Sequence, residues 1–430
     1  VNKGKSPFWN AVYLFTGRIL SALFGFLSTV YCAQRVGVLN FGWLTFSLSL
    51  VSYGLILTDF GLLTFGVRKM VQSPEEKRFP QELISLRLLL ALIVFSLLFI
   101  LSQKLNKPPA VKKLIIFYSL FLFANSLSLE WFFQAKERMD YVGINRILIS
   151  FGYLLLLFLL VRKELDYQRV PFAFLFGQVV GAIFLLLVYK KEKGEISLIF
   201  SPKIFKRLFL SALPLGTINI LQILYTYFGI ILLGFIGQGE ELGIYSAMHR
   251  LLLTTLIIDF VASFLFLPLI TSFYQSEFNN LPKVFEILNR VVLFFTLPVV
   301  IICLIFSQPL ISFFLGRNYL AGISLLRILI FFLPLTTLST LYGTGLLAQK
   351  REKTLLLNTL IGTLFNIASS PILYFSLGSR GIALGLVSGE LIILTFNLIA
   401  VRRKIRFSLK KSLIPILTRD EIRFLTRREL

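Results

Sequence analysis

The chain has 430 residues and a mass of 49.0 kDa, is 56% hydrophobic and 15% charged, and carries a formal net charge of +23. A soluble domain of this size needs more polar surface to cover its core, so composition excludes an ordinary globular fold and points to an all-α polytopic membrane protein. Two cysteines, Cys32 and Cys303, lie far apart inside apolar runs and supply neither a disulfide framework nor metal-ligand spacing. No phosphate-binding lysine loop, HExxH, GxSxG or carboxylate cluster is present.

A bilayer core takes about 20 apolar residues per helix. Reading from the N-terminus, runs of that size lie at 8–32, 41–63, 83–101, 114–133, 146–161 and 170–189. Six more lie at 209–236, 242–273, 291–306, 323–348, 354–377 and 381–401, which gives twelve expected spans. The opening "VNKGKSPFWN" leads straight into the first run with no small-residue cleavage site, so that run is expected to be a retained span.

Placing the polar connections on alternate sides sorts the basic residues. Thirty of the 44 lie on the side of the N-terminus and ten on the other, while Arg18, Arg87, Arg250 and Arg327 remain within the spans. Positive residues accumulate in the cytoplasm, so both termini are expected there. The high charge is therefore a topology signal, strengthened by anionic membrane lipids, and does not indicate nucleic acid. All connections on the opposite side are short, which leaves no extracytoplasmic domain to hold an active site.

Six spans precede the basic segment "YKKEKGEISLIFSPKIFKR" and six follow it. The expected organisation is an N-terminal half, 1–189, a cytoplasmic linker, 190–208, a C-terminal half, 209–401, and a basic tail, 402–430. The halves echo each other: "VGVLNFGWLTFS" follows the first span and "IGQGEELGIYSA" the seventh. Asp59 comes seventeen residues after Gly42, and Asp259 sixteen after Gly243. An even number of spans per half makes such repeats parallel, and transporters built this way place a cavity at the repeat interface.

A charge at mid-bilayer costs about 2.5–3.5 kcal/mol, so each must face a partner or water. Arg18 shares a helical stripe with Ser21, Ala22, Gly25 and Thr29, a small and polar face suited to an interior wall. Arg250 sits beside His249 in the eighth span, nine residues from Asp259, and the two face nearly opposite directions. Arginine suits phosphate because its planar fork stays charged and donates two hydrogen bonds. With Asn125 and Asn219, Arg18 and Arg250 form the candidate cavity-lining set; the alternative for the arginines is a buried ion pair. Asp259, Glu130 and Glu390 are candidates for ion coupling, since a buried carboxylate can carry a proton. Arg87 and Arg327 are expected to snorkel to an interface. Asp59 precedes Gly61 at the inner end of its span and reads as a hinge or cap.

The stretches "VGVLNFGWLTFSLSLVSYGLILTDFGLLTFGVRKM", "EWFFQAKERMDYVGINRI", "FFLGRNYLAGISLLRIL" and "LLAQKREKTLLLNTLIGTLFNIASSPILYFSLGSRGIALGLVSGE", with the segment 208–251 between the second and third, resemble the polysaccharide-biosynthesis flippases of the Wzx type. These belong to the MOP superfamily, together with MATE exporters and lipid II flippases. The resemblance implies a MATE-like arrangement of two halves around a central cavity, in a bacterial inner membrane. It implies translocation of an undecaprenyl-diphosphate-linked oligosaccharide to the periplasmic leaflet by alternating access. Coupling to a proton or sodium gradient, no other cofactor, and a polysaccharide polymerase and glycosyltransferases as working partners are implied too. Another MOP exporter is the alternative, and a glycan polymerase or ligase is a more distant one. Lipid II flippases typically carry two further spans, and the apolar pieces of the tail are too short to cross. The tail is expected to lie on the anionic cytoplasmic leaflet.

Overall fold

The computed structural model describes residues 7–73, 76, 78–193, 197–237, 239–412 and 421, without the side chains of 7, 8, 193, 213–215, 218, 219, 411 and 412. All regular structure among them is helical, as backbone groups in hydrocarbon must be satisfied within their own segment. Ten helical runs are long and apolar enough to cross a membrane. The first, Trp9–Gln72, is 64 residues long and takes in two of the expected spans, and the seventh expected span contributes a shorter apolar helix, Ile220–Ile236. The protein is a multi-pass, all-α membrane protein.

Packing divides the chain into two units, 1–246 and 247–430. The first begins with α1 (Pro7–Asp59), whose two legs meet at Gly37 without an intervening loop. Gly37 has φ 76°, which a side chain would strain, and a methyl group there would lie 2.6 Å from Glu164 Oε1. A one-residue bend therefore replaces the expected outer turn. α2 (Leu62–Gln72), α3 (Phe79–Lys104), α4 (Pro109–Ser119), α5 (Phe121–Ser126) and α6 (Glu130–Ala135) follow, then α7 (Met139–Leu160), α8 (Val170–Lys193) and α9 (Pro202–Ile236). An aromatic core of Phe79, Trp131, Phe132 and Tyr189 joins α3, α6 and α8, with ring centroids 5.8 Å apart for Phe79–Trp131 and 5.0 Å for Phe132–Tyr189.

The border between units falls within α10 (Gly239–Thr255), whose start packs on the second leg of α1. A methyl group at Gly42 would lie 2.8 Å from the Gly243 nitrogen, and one at Gly243 would lie 2.0 Å from the Val38 carbonyl oxygen. The two echoed sequence motifs thus touch through their glycines. Small residues let backbones approach where hydrophobic exclusion supplies no drive between helices.

The second unit contains α11 (Ile257–Ser276), α12 (Leu281–Ile305), α13 (Ser307–Phe314), α14 (Ile323–Leu329), α15 (Phe332–Ala348), α16 (Glu352–Leu377), α17 (Ser379–Arg402) and the short α18 (Leu409–Ser412). Amide side chains stitch three of these helices together. Asn358 Nδ2 donates to Asn397 Oδ1 (2.9 Å), and Asn397 Nδ2 donates to Ser339 Oγ (3.3 Å).

The start of the tail departs from expectation. Ile405 and Phe407 are buried in the core of the second unit, and Phe407 stacks on Phe285 at 5.4 Å and on Tyr342 at 6.0 Å. Glu286 Oε1 accepts the Ser408 amide at 2.7 Å, and Glu421 takes both Nη groups of Arg290, at 2.7 and 3.1 Å. Apolar pieces too short to span can still fill a gap between helix ends, which is where these go. Residues 413–420 and 422–430 of the tail lie outside the described residues.

Candidate functional site

The first leg of α1 and α7 run parallel in a repeating register. Gly17 meets Gly143, Phe24 meets Phe151 at 5.5 Å, and Tyr31 meets Phe158 at 4.2 Å. A methyl group on Gly17 would lie 2.5 Å from Gly143 Cα, so the backbones are in contact there. At the far end the Tyr31 hydroxyl donates to the Val161 carbonyl at 2.7 Å.

This crossing carries the charges. Arg18 follows Gly17, eleven residues into α1, and Arg146 follows Gly143 at seven residues into α7. At 1.5 Å per residue these depths are about 16 and 10 Å along the axes. Arg146 donates from Nε (2.9 Å) and Nη2 to Oε1 of Glu130, the first residue of α6. Gln134, one turn on, donates to the same oxygen at 3.1 Å. Both members of the ion pair are about a quarter exposed, at 23% and 24%. Arg18 is exposed, and the charges acting on it are those of Arg146 and Glu130. Glu130 thus pairs directly with Arg146, and both charges act on the nearby Arg18. Along the Arg18 stripe, Thr29 is half-buried, and a methyl group at Gly25 would meet nothing within 4 Å.

Sequence reading put Arg146 at the very first position of the fifth span, 146–161, and not among the arginines within the spans, whereas the helix begins at Met139. The signal was the apolar pair Val142–Ile144 around Gly143 inside "MDYVGINR", obscured by the flanking charges.

Arg87 corrects a second expectation. It does not snorkel but is fully buried, because the helix facing it is broken. Between α5 and α6 the chain leaves helical hydrogen bonding, and Arg87 donates to the carbonyls of Ser126 (3.3 Å) and Ser128 (3.4 Å). Its Nη2 donates to Asn125 Oδ1 at 2.8 Å, so the amide oxygen of Asn125 serves this brace. Ser126 Oγ in turn donates to the Arg87 carbonyl at 3.1 Å. The charge acting on Arg87 is Asp59.

Asp59 ends α1, and its Oδ1 accepts the Leu63 amide at 3.1 Å in the first turn of α2. The turn itself runs through Phe60 (φ 37°) and Gly61 (φ 82°). A methyl group on Gly61 would lie 2.4 Å from the Gly216 nitrogen of α9. A cavity of about 200 Å³ opens beside this turn, lined by Asp59, Gly61, Gly216, Ile220 and Gln222 among others. The side chain of Asn219, on the same helix, lies outside the described residues.

In the second unit Arg250 is half-buried on α10 and has no ion-pair partner among the described residues. Asp259, in the first turn of α11, accepts a hydrogen bond from Thr340 of α15, and its Oδ1 is buried without a partner among the described residues. Glu390 is buried on α17. Arg327 is exposed and donates from Nε to Ser307 Oγ at 3.0 Å. No group of three His, Cys, Asp or Glu able to hold a metal ion occurs among the described residues.

One relative and two solved structures of similar fold frame this arrangement. A Shigella dysenteriae protein named for O-antigen transport is 24% identical over 360 residues, which is 82% of this chain and 87% of that protein. The fold matches the lipid II flippase MurJ in its inward closed conformation, with a TM-score of 0.75 over 97% of this chain and 92% of that one at 15% identity. It also matches an inward-facing MATE family multidrug resistance transporter of the MOP superfamily, with a TM-score of 0.70 over 90% of this chain and 94% of that one at 15% identity. Residues 9–274 match the family of polysaccharide biosynthesis proteins, and the chain belongs to that family.

Proposed function

We propose that this protein is a transporter, not an enzyme, and that it moves an undecaprenyl-diphosphate-linked oligosaccharide from the cytoplasmic to the periplasmic leaflet of a bacterial inner membrane. Family membership and the relative named for O-antigen transport support the substrate class. One observation carries the reading on the chain itself: an exposed arginine, Arg18, and a part-exposed Arg146–Glu130 ion pair lie on membrane-spanning helices whose backbones touch at Gly17 and Gly143. A structural pair sealed in a core would be out of reach of a ligand, whereas these arginines are exposed or part-exposed on a wall of small and polar residues. Such a wall attracts a diphosphate and repels a cationic drug.

Arg250 is a second cargo contact in this reading, and the lipid tail stays in hydrocarbon throughout. An inside-negative potential supplies about 2.3 kcal/mol per charge per 100 mV, which favours outward movement of the anionic head. It equally favours entry of a coupling proton or sodium ion, for which Asp259 and Glu390 are the candidate carriers, the third candidate, Glu130, being engaged by Arg146. Both termini are cytoplasmic in this reading, where polymerase and glycosyltransferases of the same pathway act on either side of the step.

The test is complementation of a flippase-null strain, with surface polysaccharide as readout and membrane abundance as control. Arg18→Ala and Arg250→Ala are expected to abolish surface polysaccharide at normal abundance, and the Lys variants to restore part of it. Full complementation by both Ala variants would overturn the reading.

A further inference from the structure

We propose that Glu130 is a built-in stand-in for the cargo's phosphate: it holds Arg146 when the site is vacant and surrenders that guanidinium to the diphosphate when cargo arrives. The proposal rests on the flippase reading and adds Arg146 as a second phosphate ligand beside Arg18, with Glu130 as the competing anion.

Four features of the cluster carry it. Arg146 directs two donors, Nε and Nη2, at a single oxygen of Glu130, so its fork is not matched to two oxygens as it would be on a phosphate. The pair is about a quarter exposed, so an incoming anion can reach it. Gln134 donates to the same carboxylate oxygen at 3.1 Å, so Glu130 keeps a hydrogen bond when Arg146 leaves. Finally, the glycine contact between α1 and α7 sets Arg18 and Arg146 side by side by backbone geometry, so both can face one ligand.

The balance of charge explains why the exchange runs. With cargo absent, the Glu130 carboxylate holds Arg146, and Arg18 stands exposed on the neighbouring helix. A diphosphate brings at least two negative charges and matches Arg18 and Arg146 together, which a single carboxylate cannot do. Glu130 then repels the bound head, which keeps affinity low enough for release on the far side. It also discourages a neutral lipid from occupying the site, because such a lipid offers nothing in exchange for breaking the ion pair.

The test measures binding of undecaprenyl diphosphate to the full-length protein in nanodiscs, with uncharged undecaprenol as the control ligand. Arg146→Met is expected to weaken binding about tenfold, comparable to Arg18→Ala. Glu130→Gln keeps an amide oxygen for Arg146 but removes the rival charge, and is expected to tighten binding about threefold. The double variant should bind like Arg146→Met, and undecaprenol should respond to none of them. Thermal melting of each variant in the same nanodiscs separates misfolding from lost affinity. If Arg18→Ala weakens binding while Arg146→Met and Glu130→Gln leave it unchanged, the pair is a packing element and this proposal falls, with the flippase reading intact. Weaker binding by Glu130→Gln also overturns it. If neither Arg18→Ala nor Arg146→Met alters binding, the flippase reading of the site itself fails.

Discussion

Arg87 and Arg146 grip the same short stretch of chain from different sides, one before α6 and one at its first residue. Arg87 is fully buried and spends Nη1 on two main-chain carbonyls and Nη2 on an amide oxygen, while its Nε has no partner among the described residues. Arg146 stands at a partly open face and spends its donors on a carboxylate, with a second arginine in reach. The acceptors separate the two roles. A cation held by carbonyls has replaced water with fixed dipoles and has nothing to exchange. A cation held by a charged side chain can trade it for another anion.

Stability measurements bear directly on that distinction. Arg87→Met removes the Arg87 donors from the buried Ser126 carbonyl, the part-buried Ser128 carbonyl and the Asn125 amide oxygen, and a loss of about 3 kcal/mol or more is expected, read as a lower melting temperature and lower membrane abundance. Arg146→Met breaks a part-exposed pair, for which about 1 kcal/mol or less is expected. Equal destabilisation by the two variants would erase the contrast. Gly61→Ala combines a left-handed backbone with a clash against Gly216, so a loss of about 2 kcal/mol is expected from the same melting assay. Asp59→Asn keeps an oxygen for the Leu63 amide and removes only the charge that acts on Arg87, which predicts about 1 kcal/mol. The smallest effect belongs to Gly25→Ala, which meets open space on the Arg18 stripe. A gain of up to about 1 kcal/mol in stability is expected from better helix propensity. A large loss there would mean that the stripe is packed and not a free wall.

How much of this could be read from sequence depended on which physical rule set each feature. Spans followed from runs of apolar residues, because a bilayer imposes a minimum length on every crossing. Arg18 could be singled out because its stripe of small and polar neighbours repeats at helical spacing, and the structure places it exposed on α1. Arg146 was not, since a boundary drawn at the last charged residue cut off two turns of α7. Arg87 was misread as snorkelling because depth along one helix says nothing about a break in the helix opposite. The break at 127–129 leaves no proline or glycine as a marker in "ANSLSLEW". Asn125 was named as a cavity residue for the same reason, and its oxygen is given to Arg87. The buried start of the tail was hidden in a stretch with too few apolar residues to register as a span, although Ile405 and Phe407 sit two apart in it.

The beat of contacts between α1 and α7, from Gly17–Gly143 out to Tyr31–Phe158, makes these two helices a mechanical pair. Arg18 and Arg146 are mounted on that pair like the jaws of a caliper on one pivot. The close backbone contact at Gly17 and Gly143 fixes where the two jaws are mounted, while the side chains themselves can still turn from one anion to another. A carrier needs such a fixed mounting if it is to recognise one headgroup from two sides of a membrane.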